Sequence, residues 1–249
     1  VAIIMFIILL IIGKNYLNNK KQNKEAIKEE QALIVESSSY QGVIDETGAT
    51  IEVVLKNSFK IYQLLISGLS KNEIQDLEKA KKNAKKLSKQ IDFLKDELFY
   101  FIRNLEESSV SASTFYIELL SYIHDLSEDV SYLTKISHNH VNNNHRKLAF
   151  TQIKELMLIE DTIKTIFKEG TEAFSSTKDI SEFEDVLLEK NNAFNVIESK
   201  INTQIERTRG DESSAKNTTL YFNFLIRTKD MITHKFELIE KYYGVVSKL

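Results

Sequence analysis

With 249 residues, no proline, no cysteine and only seven glycines, the chain lacks the turn-formers of strand-rich domains and cannot make a disulfide or a thiolate metal centre. Apolar residues at 42% and charged residues at 28% are enough for a buried core and argue against disorder. A net charge of −3 gives no general attraction to nucleic acid, although Lys71 to Lys95 is locally basic.

The chain opens on "VAIIMFIILLIIG", twelve uninterrupted apolar residues followed by Gly13 and the basic residues Lys14, Lys20, Lys21 and Lys24. As a helix the run would reach ~18 Å at ~1.5 Å per residue, short of the ~30 Å hydrocarbon layer. A secretory signal places its positive charges before the apolar stretch, and here they follow it. Residues 1–13 are therefore expected to be the end of a transmembrane helix, with the lysines marking the cytoplasmic side by the positive-inside rule. The alternative is a buried helix of a soluble protein, which would need burial on every side.

Residues 14–39 continue as a polar neck and linker, and "ESSSYQGVIDETGA", with its serines and two glycines, reads as a boundary. From Ala49 to Leu69 the positions Ile51, Val54, Leu55, Phe59, Tyr62, Leu65, Ile66 and Leu69 recur at helical spacing and predict a first bundle helix. Ser70 with Glu73 forms a capping box for a second helix to about Glu107, striped by Ile74, Leu77, Ala80 or Lys81, Ala84, Leu87, Ile91, Leu94, Leu98 and Ile102. Its face from Lys79 to Lys89 is nearly all lysine, a solvated surface or, less commonly, a contact for phospholipid head groups.

A third helix is predicted over about Ser111–Ile136 and a fourth over about Ala149–Phe174. "SSTKDIS" resets the chain, and a fifth helix follows over about Ser181–Arg209 on Phe183, Val186, Leu187, Phe194, Ile197, Ile201 and Ile205. Gly210 stops it, and a sixth runs over about Ser213–Tyr243. Short polar joints between long helices imply antiparallel neighbours, hence an all-α six-helix bundle. Lengths repeat in threes, which suggests two three-helix units, 40–147 and 148–249. Shifted by 105 positions, the third and sixth helices match Phe115 with Leu220, Leu119 with Phe224, Leu120 with Leu225 and Leu133 with Leu238. Ile123 against Thr228 and Val130 against Lys235 break the match.

The same shift matches Asp125 with Asp230 and Asp129 with His234. Residues four apart point the same way, so Asp125, Asp129, Asp230 and His234 could hold one divalent or ferric ion between two helices. The plain alternative is two solvated surface pairs. Between the third and fourth helices stands "SHNHVNNNHRKL", 137–148. Asparagine tolerates left-handed backbone and caps free helix ends, so this reads as a polar connection. His138, His140, Asn142, Asn143, Asn144 and His145 are then available to a partner surface, and a three-histidine metal site is the sharper alternative. No phosphate loop or nucleophilic constellation argues for an enzyme.

The run "FYIELLSYIHDLSEDVSYLTKISHNHVNNNHRKL", with "LKDELFYFIRNLEESSVSAS" before it, resembles the C-terminal cytoplasmic region of a bacterial subset of PiT-type inorganic phosphate transporters, a region similar to PhoU-like proteins. "HVNNNH", 140–145, is its most specific element, and the resemblance covers about Tyr40–Tyr243. It implies paired three-helix bundles that regulate a phosphate permease in the bacterial inner membrane. The membrane portion of the same polypeptide and the lipid bilayer would be its partners, inorganic phosphate the substrate of the whole transporter, and a homo-oligomer a further expectation. PhoU-like domains carry an acidic metal motif of Glu or Asp, three residues, then Asp. Asp125 and Asp129 fit it, whereas His234 departs from it after Asp230. The alternative from another class is a membrane-anchored helical sensory or scaffold protein.

Overall fold

Six helices account for nearly all of the structure, a computed structural model that describes residues 38–107, 110–175, 182–210 and 212–246. They are α1 Tyr40–Lys71, α2 Ile74–Asn104, α3 Val110–Asn142, α4 Phe150–Ser175, α5 Glu182–Arg209 and α6 Ala215–Val246, and no strand occurs among the described residues. The apolar run at 1–13 and the neck as far as residue 37 lie outside them, as do "STKDIS" at 176–181 and the side chains of Phe174, Phe183, Val186 and Leu187. Among the described residues no helix is long and apolar enough to cross a membrane.

The first helix begins nine residues before the Ala49 expected from periodicity. Ser39 caps it by accepting from the Gly42 N–H at 3.3 Å, and Val43 and Ile44 are fully buried in the added turns. Gly48, read from sequence as part of a break, is instead a packing residue, because a Cβ there would sit 2.6 Å from Oη of Tyr242 on α6. The helix then runs through Ser70, so the predicted capping box does not form and Glu73 caps α2 without a side-chain hydrogen bond. Asn72 makes the joint: it adopts the left-handed region at φ 54°, the Glu73 N–H donates to Gly68 O at 3.0 Å, and the Asn72 N–H to Leu69 O at 3.3 Å. This is a Schellman closure with asparagine in the position glycine usually takes.

α2 buries Leu77, Ala80, Ala84, Leu87, Ile91 and Leu94, as its stripe predicts, but the seam ends on Phe101 and not on the expected Ile102: Phe101 is buried against Tyr116 while Ile102 is 42% exposed. Ala80, Leu87, Leu94 and Phe101 are spaced seven apart, so this line of the seam repeats without a shift and Ile102, one residue further on, falls to its solvent side. α4 opens with the Ala149 N–H donating to Gln152 Oε1 at 2.9 Å, and α6 with the Asn217 N–H donating to Ser214 Oγ at 3.2 Å.

The six helices form one compact unit with α1 at its centre, packed on α2, α3, α4 and, more lightly, α6. That environment buries most of the α1 surface and leaves one exposed strip, Gln41, Asp45, Ala49, Val53, Lys56 and Lys60. Phe59 of α1 stacks on Phe167 of α4 at 5.4 Å, and Tyr62 meets Phe224 of α6 at 5.4 Å. α3 lies along both α2 and α6, while α5 closes against α4 and α6.

Two positions that break the sequence match are core positions all the same. Thr228 is fully buried, with its hydroxyl donating to Phe224 O at 2.7 Å and lying 3.0 Å from Tyr62 Oη. Lys235 is fully buried with its ammonium donating to Ile166 O and resting over the Phe167 and Phe236 rings. Ile123 and Val130, their counterparts in α3, are buried as plain apolar residues.

Gly68 supplies a test of this packing. A Cβ there would meet Leu77 Cγ at 2.6 Å, and Leu77 has no exposure through which to yield. Replacing glycine with alanine inside a helix ordinarily gains about 1 kcal/mol. Gly68→Ala is instead expected to lose about 1–3 kcal/mol through overpacking, read as a lowered Tm, whereas Gly210→Ala, with no neighbour nearer than 3.5 Å, is expected to leave the Tm unchanged.

Candidate functional site at the seam of α3 and α6

Asp129 sits on the inner face of α3 with only 2% of its surface exposed. A carboxylate removed from water in this way must be compensated in place, and both of its oxygens are. Oδ1 accepts from Arg227 Nη1 at 3.0 Å and Oδ2 lies 2.8 Å from His234 Nδ1, both donors coming from α6. The same Arg227 nitrogen also reaches Asp230 Oδ2 at 3.4 Å, and its guanidinium lies 4.9 Å over the Tyr132 ring. Tyr132 in turn donates to Asn223 Oδ1 at 3.0 Å, which extends the seam one turn further.

The hydrogen bond and charge of Asp129 hold His234 above the usual imidazole pKa against the opposing effect of burial, with Glu237 and Asp125 adding to the rise. Three of the four residues singled out from spacing, Asp129, Asp230 and His234, are thus drawn into one network around Arg227, while Asp125 bears on it only through its charge. They do not form a coordination sphere. No three His, Cys, Asp or Glu side chains among the described residues are grouped to hold a metal ion, and Arg227 already supplies the positive charge between the two aspartates. Arg227 was missed from sequence, though Arg227, Asp230 and His234 at i, i+3 and i+7 share one helix face. As arranged, the cluster can exchange a proton at His234 and hold α3 to α6.

The histidine and asparagine block divides differently from its reading as a connection spanning 137–148. α3 continues to Asn142, so His138 and His140 are buried helix residues, 6% and 5% exposed, and are not available to a partner surface. His138 Nε2 bonds Glu78 Oε1 of α2, and His140 Nε2 lies 3.0 Å from the Arg146 carbonyl. His138 faces another helix while His140 faces the turn, with the His145 ring 5.3 Å from it, so the three imidazoles do not converge. Burial lowers the pKa of His140, opposed by its bond to the Arg146 carbonyl.

The asparagines explain the rest of the block. Asn144 is left-handed at φ 53°, the His145 N–H donates to His140 O at 3.1 Å, and the Asn144 N–H to Val141 O at 3.0 Å. This repeats the closure at Asn72, hydrogen bond for hydrogen bond. Asn142, Asn143 and Asn144 are exposed and His145 is half-buried, and Asn139, Arg146 and Lys147 of the same block are exposed as well. The Asn217 side chain donates to Lys147 O at 2.8 Å and ties the turn to α6.

A second polar network, unmarked by any sequence motif, joins α4, α5 and α6. Arg207 grips Glu155 through two bonds of 2.8 Å, and Tyr221 donates to Glu155 Oε2 at 2.6 Å. Burial opposes ionisation of Glu155, but the bonds from Arg207 and Tyr221 prevail and hold its pKa below the usual range. Gln152 donates to Gln204 Oε1 at 2.9 Å beside them. The matching i, i+3 spacings, Gln152 with Glu155 and Gln204 with Arg207, were the available signal. A search of protein families, curated proteins and solved structures finds no match to this chain.

Asp129→Asn is expected to destabilise the fold by about 2–4 kcal/mol, since it strips Arg227 and His234 of their counter-charge. The sign of the pH dependence follows from the raised His234 pKa. Its contribution is complete below the unfolded imidazole pKa and fades as pH climbs through the higher folded value. Thermal melts between pH 5 and 9 are therefore expected to show a loss on the alkaline side that His234→Gln abolishes.

Proposed function

We propose that this chain is the cytoplasmic regulatory portion of a membrane inorganic phosphate transporter, built as an antiparallel PhoU-like bundle of two three-helix units. The observation that carries the reading is the contact of Asp129 with His234, residues 105 apart. That interval is the shift that superposes the apolar pattern of α3 on that of α6. When two related units pack about a twofold axis, equivalent residues near the axis meet each other. Further pairs along the seam support the same arrangement: Phe115 faces Tyr242, Glu118 faces Lys241 and Tyr132 faces Asn223, so positions fall on α6 as they rise on α3. The phosphate assignment rests on the resemblance carried by "HVNNNH" and its flanks.

In this reading the segment at 1–13 is the end of a transmembrane helix, and everything after it lies on the cytoplasmic side of the bacterial inner membrane. The bundle acts by shifting its contacts with the membrane part of the same polypeptide, which biases the transport-competent conformations. No catalytic step is assigned to it. A divalent or ferric ion at Asp125, Asp129, Asp230 and His234 is left out of the mechanism, since a metal would first have to displace Arg227. The second reading, an anchored sensory or scaffold protein, draws on the same apolar segment and would act by self-association of its long helices.

Uptake of labelled phosphate by cells producing the complete gene product separates the two. Uptake above that of empty cells is expected, and His234→Gln, judged folded by circular dichroism, is expected to change its rate by about fivefold or more. Uptake equal to that of empty cells, together with concentration-dependent dimerisation of the purified protein, would establish the scaffold.

A further inference from the structure

Between α2 and α3, away from the seam with α6, lies a groove of about 410 Å³. Its floor is Ala84 and Thr134, both buried, and the small side chain of Ala84 is what leaves room there. Thr134 turns its hydroxyl back to Val130 O at 2.7 Å. Ser88 and Ser131 enter the groove from opposite helices with hydroxyls that make no hydrogen bond among the described residues. Around the rim stand Lys81, Lys85 and Lys89 from α2 and Lys135 from α3. None of these four ammonium groups is in an ion pair among the described residues.

Residues 79–89 contain six lysines and no acid, and Glu78 just before them is bound to His138 while its charge also acts on Lys81. A hollow edged by one sign of charge over low-dielectric walls concentrates its field and attracts the opposite charge. Lys81, Lys85 and Lys89 recur every four residues and so form a row about 12 Å long on one helix face, with Lys135 facing it. A single tetrahedral anion would engage one end of such a row. A chain of phosphoryl groups would engage its whole length, with the serine hydroxyls as further donors.

We propose that this groove binds a linear oligophosphate, either free or as the tail of a nucleotide. The recess separates this from attraction to a lipid surface: head groups in a plane reach the lysine rim but not the serines below it. The proposal stands apart from the phosphate-transport reading, because it needs neither a permease nor the α3–α6 network.

The test is calorimetric titration of the detergent-solubilised full chain with sodium tripolyphosphate at low ionic strength. Saturable one-site binding is expected, weakening as salt is added. Lys85→Gln and Lys135→Gln should each lower affinity about threefold to fivefold, and the pair together about tenfold or more. Lys82→Gln removes the same charge from the same helix outside the groove and should change affinity less than about twofold. Adenosine triphosphate binding as tightly as tripolyphosphate would assign the site to a nucleotide tail, and weaker binding would assign it to the free chain. An equal loss in Lys82→Gln, equal affinity for orthophosphate, no saturable binding, or displacement by phosphatidylglycerol vesicles but not phosphatidylcholine vesicles would each overturn the proposal.

Discussion

A carboxylate taken out of water is tolerated only where donors are fixed to meet it, and Asp129 imposes that condition on the contact between α3 and α6. Arg227 and His234 lie on one face of α6 and can both reach it in one axial position of the two helices. That position then brings Tyr132 to Asn223 and Phe115 to Tyr242. Apolar side chains alone would permit sliding by a turn, because leucine and isoleucine repeat along both helices. The ionic contact removes that freedom. The same economy governs Thr228 and Lys235, polar residues in core positions whose hydrogen-bonding groups are met by Tyr62 and by Ile166.

The number, order and approximate limits of the helices were legible because each carries a strong 3.6-residue pattern over 26 to 33 residues. The start of α1 was not, since Gly42, Gly48 and three serines resemble a linker in one dimension. Only the nearness of Tyr242, almost two hundred positions away, shows why Gly48 is small. The boundary of the histidine block was misplaced for a related reason. His138 and His140 look like loop residues until Glu78 and the turn carbonyl are seen to receive them. Asp125, Asp129, Asp230 and His234 were correctly placed on facing helices, but the 105-residue match compares only equivalent positions and so passed over Arg227, although its spacing puts it on the same face as Asp230 and His234.

Charge in this protein is sorted by location, which a net value of −3 conceals. Acids on the inner faces of α3 and α4 are taken up by Arg227, His234 and Arg207. Lysines of α2 stand around a hollow whose lining holds no acid. The asparagine closures at Asn72 and Asn144 share this sorting of labour: they end helices by backbone hydrogen bonds and leave charged side chains free for other work. α2, lying between those two closures in sequence, is set against α3 as a ready-made positive edge.

The central place of α1 has a consequence for biosynthesis. This helix leaves the ribosome before the other five, yet partners such as Phe167 and Phe224 cover it from far along the chain. Gln63 waits 97 residues for Glu160, an interval of about 5–20 s at ordinary translation speeds. Throughout that interval the apolar surface that α4 and α6 later bury faces the cell. Nascent chains of this design need shelter while they grow, from a chaperone or from a nearby bilayer, and their yield should track how quickly the second half is made.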